Sequence, residues 1–268
     1  MDEPVVRARA LTKRFGVVTV VDDVSFELAA GRTLAIVGES GAGKSTIAAM
    51  LTGLAAPTSG AVVVCGEDRS QPARSARVRR RRGRQLQLVS QDPFTALDPR
   101  QPIGSVIVEA LAIADRAPRA QRPARAVELL EAVGLGGRHA TAVPRALSGG
   151  QRQRVAIARA LAAEPAVIVL DEAVSALDVS VQAQVLNLLR DLQRETGTAF
   201  LFITHDLAVV RQIAHDVLVL ERGRVVEQGA VGAVLDAPQE AYTKVLLDST
   251  PRHGWRPKAR RPAGAAAG

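Results

Sequence analysis

Four short runs, Leu34–Val37, Leu86–Val89, Val167–Leu170 and Phe200–Ile203, are almost wholly apolar, and helical stretches separate them. Strands that face water on one side alternate apolar and polar residues. Near-continuous apolarity marks strands covered on both faces, as in a parallel sheet flanked by helices. The intervening stretches include Lys44–Leu54 and Val181–Glu195. This alternation predicts an α/β fold with right-handed crossovers. Ahead of the first run, Val5–Leu28 holds shorter β-like pieces, Val17–Val21 and Val24–Leu28, which read as an antiparallel sheet. Between the second and third runs the chain is too long for a simple crossover. It contains Val106–Ala114 and Arg122–Val133, the latter closed by Gly134. Residues 92–160 are therefore expected to form a helical subdomain inserted into a sheet domain spanning residues 4–250.

Hydrophobic residues make up 47% of the chain and aromatics only 3%, so the core must be built from Ala, Val, Leu and Ile. That mix suits buried strands and helices and argues against disorder. No run reaches the roughly 18 apolar residues of a membrane span. Met1-Asp2-Glu3-Pro4 lacks the basic and apolar regions of a secretory signal, so a cytoplasmic protein is expected. Cys65 is the only cysteine, which excludes an internal disulfide and a cysteine-built metal site. The net charge of +8 is concentrated in two segments free of acids: residues 69–84 with eight arginines and residues 252–268 with five Lys/Arg. Without them the chain is net negative, unlike a general nucleic-acid-binding surface. The first segment is expected to be a solvated helix face and the tail from about Pro251 disordered. Contact with anionic lipid beside a membrane partner is the functional alternative.

The residue after each apolar run carries the chemistry. Leu34–Val37 leads into Gly38-Glu39-Ser40-Gly41-Ala42-Gly43-Lys44-Ser45, which matches G-x-x-x-x-G-K-[ST]. Such a loop curls so that backbone N–H groups, with the dipole of the following helix, point at phosphate oxygens. Gly38, Ser40, Gly41, Gly43, Lys44, Ser45 and Thr46 are the candidate phosphate contacts. Lys44 would reach the β/γ-phosphates, and the Ser45 hydroxyl would hold Mg²⁺. Val167–Leu170 leads to Asp171, suited to the Mg²⁺ shell, and to Glu172, suited to activating a water. The other two runs lead to Gln91 and His205. Ligands of open α/β sheets bind outside the carboxyl ends of the strands, so all four groups are expected at one edge. Ser148 and Gln151 form the S-x-x-Q of a capping box opening the helix Arg152–Leu161. A helix start with two glycines and a free hydroxyl is also a phosphate-binding surface.

Together these residues resemble the ATP-binding cassette (ABC) family. Gly38–Ser45 is similar to its Walker A, Gln91 to its Q-loop glutamine and Leu147–Gln151 to its LSGGQ signature. Val167–Glu172 resembles Walker B with the catalytic glutamate, Ser175-Ala176-Leu177-Asp178 the D-loop, and His205 the switch histidine. Phe15, 29 positions before Lys44, stands where the family places an aromatic on adenine. The resemblance implies a P-loop NTPase (RecA-like) core with an N-terminal antiparallel β subdomain and an inserted helical signature subdomain. It implies ATP and Mg²⁺ as cofactors, with Glu172, His205 and Gln91 catalytic and Ser45, Gln91 and Asp171 around the metal. Phe15, the phosphate loop, Ser148, Gly149, Gly150, Gln151 and Asp178 would contact nucleotide, the signature of one cassette meeting the ATP of another. It further implies membrane permease subunits, a second cassette in a heterodimer and, indirectly, a solute-binding protein, at the cytoplasmic face of the plasma membrane. No nucleic acid is expected. The family often has Pro after the catalytic glutamate, where this chain has Ala173.

A narrower resemblance, to the oligopeptide/dipeptide/nickel importer branch, lies in Ser90–Arg100, Val174–Leu192 and Ala237–Lys244. The branch usually has a histidine-bearing piece before Tyr242, where this chain has Glu240-Ala241. Some members carry later cysteines that bind an iron–sulfur cluster; none stands there in this chain, so no cluster is expected. The competing class is a soluble ABC-type ATPase acting on nucleic acid or ribosomes. Repair and chromosome ATPases insert long coiled coils between Walker A and signature, whereas Lys44 and Ser148 are 104 positions apart without heptads. Translation-factor relatives carry two cassettes, and this chain has one.

Overall fold

The structure is a computed structural model and describes residues 3–91 and 98–249. Residues 92–97 of the branch-specific stretch and the basic tail lie outside the described residues.

Two sheets form the frame. In the first, β1 (Val6–Phe15) pairs antiparallel with β2 (Val18–Leu28) and β4 (Ser59–Val64), and β5 (Glu67–Asp68) completes the order β2-β1-β4-β5. The two expected pieces 17–21 and 24–28 are one strand. Asp22-Asp23, which interrupt the apolar pattern, sit at a register shift between Lys13↔Val21 and Leu11↔Val24, with Asp23 in the left-handed region. A bulge absorbs residues that would otherwise break pairing.

The second sheet contains β3 (Thr33–Val37), β6 (Leu86–Val89), β7 (Val167–Asp171), β8 (Ala199–Thr204), β9 (Asp216–Glu221) and β10 (Arg224–Ala230). Their order is β10-β9-β3-β8-β7-β6, all parallel except β10. The four expected runs are adjacent members of it. β9 extends the sheet beyond them: Val217–Leu220 is as apolar as the others but ends in the turn Glu221–Gly223.

Helices cover both faces: α1 (Lys44–Thr52), α2 (Ala76–Gln85), α3 (Ile103–Ala114), α4 (Arg122–Ala132), α5 (Gly149–Leu161), α6 (Val179–Thr196), α7 (Leu207–Ile213), α8 (Val231–Asp236) and α9 (Ala241–Ser249). Successive side chains of a strand point to opposite faces. Val167, Val169, Leu201 and Ile203 accordingly join the antiparallel sheet and α1, while Ile168, Leu170, Phe200 and Phe202 join α3, α4, α5 and α6. Burying each of the two phenylalanines contributes about 2–3 kcal/mol. α1 ends at Thr52, two residues before the expected Leu54 bound, because Gly53 caps it in the left-handed region. α6 begins at Val179 because the Asp178 carboxylate accepts the Val181 N–H at 2.9 Å.

The arginine-rich segment is only partly the solvated helix face expected of it. α2 is helical, capped by Ser75, and exposes Arg77, Arg79 and Arg80. Arg69, however, is 2% exposed and donates to Gln85 Oε1 at 2.6 Å. Burial pulls its guanidinium down to about 10. Arg81 and Arg82 converge on Glu67 at 2.8 and 3.0 Å. These three arginines latch α2 to the β4–β5 hairpin.

His215 pins the start of β9 to β3: its N–H donates to the Thr33 carbonyl and its Nδ1 accepts the Thr33 N–H, both at 2.9 Å. Accepting at Nδ1 requires a neutral ring, and burial, aided by the Arg32 cation, lowers its pKa. The unfolded chain therefore takes up a proton near pH 6.5 before the folded one does. This site adds no pH dependence well above that value, and stability falls as pH drops from there toward the lowered folded pKa. In urea unfolding between pH 8 and 5, His215→Asn, whose side-chain oxygen can accept the Thr33 N–H, should lose less stability on acidification than the wild type. Equal losses would remove His215 from the account.

Candidate nucleotide site

The phosphate loop is built where β3 ends against β9 and β2. At Gly38 a Cβ would lie 2.2 Å from the Leu220 carbonyl oxygen, and at Gly43 2.6 Å from that of Val20. Only glycine fits either contact. Gly43 is also the N-cap of α1, at φ 103 and without any side-chain cap, so the first N–H groups of α1 remain available to an anion. The Ala42 carbonyl accepts the Gly223 N–H at 3.0 Å, which ties the loop to the β9–β10 turn. Lys44 Nζ donates to the carbonyls of Gly38 and Glu39 at 2.7 and 2.8 Å. Burial lowers the Lys44 pKa, while Glu172 and Asp171 oppose the shift. Ser45 is exposed at the mouth of the loop, and Thr46 is half-buried behind it.

Register levels the other groups with this loop. Val37 pairs with Thr204, and Asp171 with Ile203, so Gly38, His205 and Glu172 emerge side by side although β8 separates β3 from β7. Asp171 is hydrogen-bonded to Ser45, and its Oδ1 is buried without a hydrogen-bond partner among the described residues. Burial raises its carboxyl above the usual value, with Ser45 opposing the shift, Glu172 adding to it and Lys44 opposing it. An orphaned carboxylate oxygen beside a hydroxyl, next to a loop able to hold phosphate, fits a hard cation such as Mg²⁺.

Glu172 has φ 49, a left-handed conformation that costs a non-glycine residue on the order of 1 kcal/mol. It is held there by its N–H on the Ile203 carbonyl at 2.9 Å and by Ser175, whose N–H and hydroxyl both donate to the Glu172 carbonyl. Its Oε1 faces His205 Nδ1 at 3.5 Å. Gln91 Nε2 stands 3.5 Å from the same Ser175 hydroxyl. Ser175, read in the sequence only as part of a motif, is thus the hub joining Gln91 to Glu172. Phe15 is 56% exposed at the β1–β2 hairpin, with Lys13 Nζ 4.9 Å from its ring centre.

The signature residues lie elsewhere. Ser148 and Gln151 form the expected capping box, at 3.3 and 2.9 Å, so α5 begins at Gly149 rather than Arg152. α5 packs on α3, α4, α6 and β6, whereas α1 packs on β2, β4, β6 and β7. Ser148 and Gly149 are exposed, and Gly150 is buried against α6. Asp178 engages its carboxylate as the α6 cap, with the Val181 N–H and then the Ser180 hydroxyl lowering its pKa. Tyr242 of α9 reaches the phosphate loop, where its hydroxyl accepts the Glu39 N–H at 3.2 Å. Among the described residues no helix is long and apolar enough to cross a membrane.

A phosphate loop on the central strand, acid residues two strands away and a capped glycine-rich helix define a nucleotide-binding cassette. The model of the ABC transporter family matches residues 21–175, and the chain belongs to that family. It binds ATP and is an ATPase of the ABC class. It is 45% identical over 259 residues to the di/tripeptide transport ATP-binding protein DppF of Pseudomonas aeruginosa, covering 93% of this chain and 80% of that protein. It is 46% identical over 262 residues to the glutathione import ATP-binding protein GsiA of Escherichia coli, covering 93% of this chain and 41% of GsiA. A dimeric ATP-binding cassette in a post-hydrolysis state, bound to ADP and Pi, superposes with a TM-score of 0.75 at 30% identity, over 84% of this chain and 98% of that one. The alternative of an ATPase acting on nucleic acid or ribosomes is not supported.

Gly150 supplies a stability test. A Cβ there would lie 2.3 Å from Val181 Cγ1, and a valine in a helix is stiff at χ1. Gly150→Ala should destabilise the protein by about 1–3 kcal/mol in denaturant titrations, and adding Val181→Ala should restore most of the loss. Equal stability of Gly150→Ala and wild type would show that α5 and α6 separate freely.

Proposed function

We propose that this chain is the ATP-hydrolysing subunit of an importer of peptides, or of nickel or a related small solute, working through separate permease subunits at the cytoplasmic face of the plasma membrane. The observation that carries this is the convergence of Lys44, Ser45, Asp171, Glu172 and His205 on one sheet edge, in a chain whose relatives are named for peptide transport and glutathione import.

In this reading the loop from Gly38 to Thr46 cradles the phosphates, Lys44 reaches the β/γ oxygens while the Gly38 carbonyl steadies it, and Phe15 stacks on adenine. Mg²⁺, held by Ser45, Asp171 and Gln91, would neutralise charge on the β- and γ-phosphates. Glu172 accepts a proton from the water that attacks the γ-phosphorus as the bond to the ADP oxygen breaks, and His205 braces the γ-phosphate. The left-handed turn held by Ser175 aims the Glu172 carboxylate and links it to Gln91.

Ser148, Gly149, Gly150 and Gln151 serve the ATP of a second cassette, which approaches head-to-tail with Asp178 near the seam. The separate packing of α5 and α1 and the exposure of Ser148, Gly149 and Val179 support this division of the site. The second cassette is a different chain, and a solute-binding protein delivers cargo. Residues 92–160 act as the helical subdomain of a 4–250 ATPase domain, and Gln91 with that subdomain transmits closure to the permeases.

Glu172→Gln should lower the ATPase turnover number by about 10²–10⁴-fold and leave ATP trapped in a dimer detectable by size exclusion; near-normal turnover would remove Glu172 as the base. Purification of the tagged chain from native membranes in mild detergent should recover multi-span permeases and a second cassette. Recovery with ribosomes or nucleic acid instead would overturn the importer.

A further inference from the structure

α9 reaches the phosphate loop through a hydrogen bond to a backbone amide. The Tyr242 hydroxyl accepts the Glu39 N–H at 3.2 Å, while Lys44 Nζ donates to the Gly38 carbonyl at 2.7 Å. That N–H and that carbonyl belong to the same peptide group, between Gly38 and Glu39. It is therefore held on one side by the lysine of the loop and on the other by a residue 203 positions away. Hydrogen bonds that share one amide polarise each other, so the two contacts are not independent.

The far end of this strut is fixed. Leu246 and Leu247 are buried in one cluster with Ala35 and Val37 of β3, the strand that delivers the loop, and Tyr242 packs against that cluster. The Glu227 carboxylate of β10 accepts the N–H groups of Gln239 at 2.9 Å and Glu240 at 3.3 Å, which anchors the start of α9. Thr243 is fully buried. Burial raises the Tyr242 pKa, the Glu39 N–H opposes the shift and the Glu39 and Glu221 carboxylates add to it, so the hydroxyl keeps its proton at physiological pH.

We infer that Tyr242 is a positioning residue for ATP binding: it fixes the first peptide of the phosphate loop, and through it Lys44, coupling the C-terminal helix to nucleotide occupancy. This rests on Gly38–Ser45 being the nucleotide site. Without the hydroxyl the Glu39 N–H must turn toward water, and the Gly38 carbonyl that Lys44 holds turns with it. By linkage, nucleotide must then change the state of Tyr242 as Tyr242 changes the affinity for nucleotide.

The test uses the full chain. Tyr242→Phe keeps the ring and its packing and removes only the hydroxyl. Its affinity for Mg-ATP, by isothermal titration calorimetry, should be about 2- to 10-fold weaker, with the thermal midpoint of the nucleotide-free protein unchanged. Tyr242 is the only tyrosine, so 3-fluorotyrosine labelling gives one ¹⁹F resonance, and ADP should shift it. Unchanged affinity in Tyr242→Phe and a resonance blind to ADP, while Lys44→Ala loses binding, would overturn the strut alone. Wild-type affinity in Lys44→Ala would overturn the phosphate site, and the strut with it.

Discussion

The site depends on a sheet buried on both faces. All five residues of β3 and all six of β8 are buried, and their only polar members, Thr33 and Thr204, stand at the strand termini, so reactive groups can follow only where the strands end. Parallel pairing then brings the ends level. Val37 beside Thr204 and Ile203 beside Asp171 put a phosphate loop, an imidazole and two carboxylates at one edge, without any long-range loop having to find the others. Strand pairing supplies the alignment that catalysis needs, and loops supply only the final turn of each side chain.

That edge was legible in the sequence because each strand is a short apolar run with its polar group immediately after it. Lys44, Asp171, Glu172 and His205 are located by counting from such runs. What stayed illegible depends on partners far along the chain. β9 has the same apolar run but ends in a turn rather than a functional group, so nothing marked it out. The glycine at 150 reads as part of a phosphate-binding helix start, yet its lack of a side chain is demanded equally by Val181. Arg69 sits in a run of arginines that reads as solvated, and only the fold shows it buried against Gln85. Tyr242 had a motif but no role until α9 folded back onto Glu39.

Asp171 and Glu172 are neighbours with unlike environments. Asp171 still has strand geometry, with one oxygen buried and one group bonded to Ser45; Glu172 has left the strand through a left-handed turn. The turn is what separates them. A residue continuing the strand would point to the opposite face of the sheet from Asp171, whereas the turn brings the second carboxylate to within 3.5 Å of His205. The strain is offset by the Ile203 and Ser175 hydrogen bonds, and backbone strain of this kind persists only where the surroundings over-determine it.

The phosphate loop is held by contacts from outside its own strand and helix. Tyr242 binds the Glu39 N–H, Gly223 binds the Ala42 carbonyl, and the Leu220 and Val20 carbonyls leave no room beside Gly38 and Gly43. A loop rich in glycine has the most backbone freedom to lose on ordering, and a loop that had to lose it on binding phosphate would bind weakly. The late elements β9, β10 and α9 remove that freedom in advance. They add no group to the carboxylate edge, yet the phosphate site depends on them as much as on the strand that delivers it.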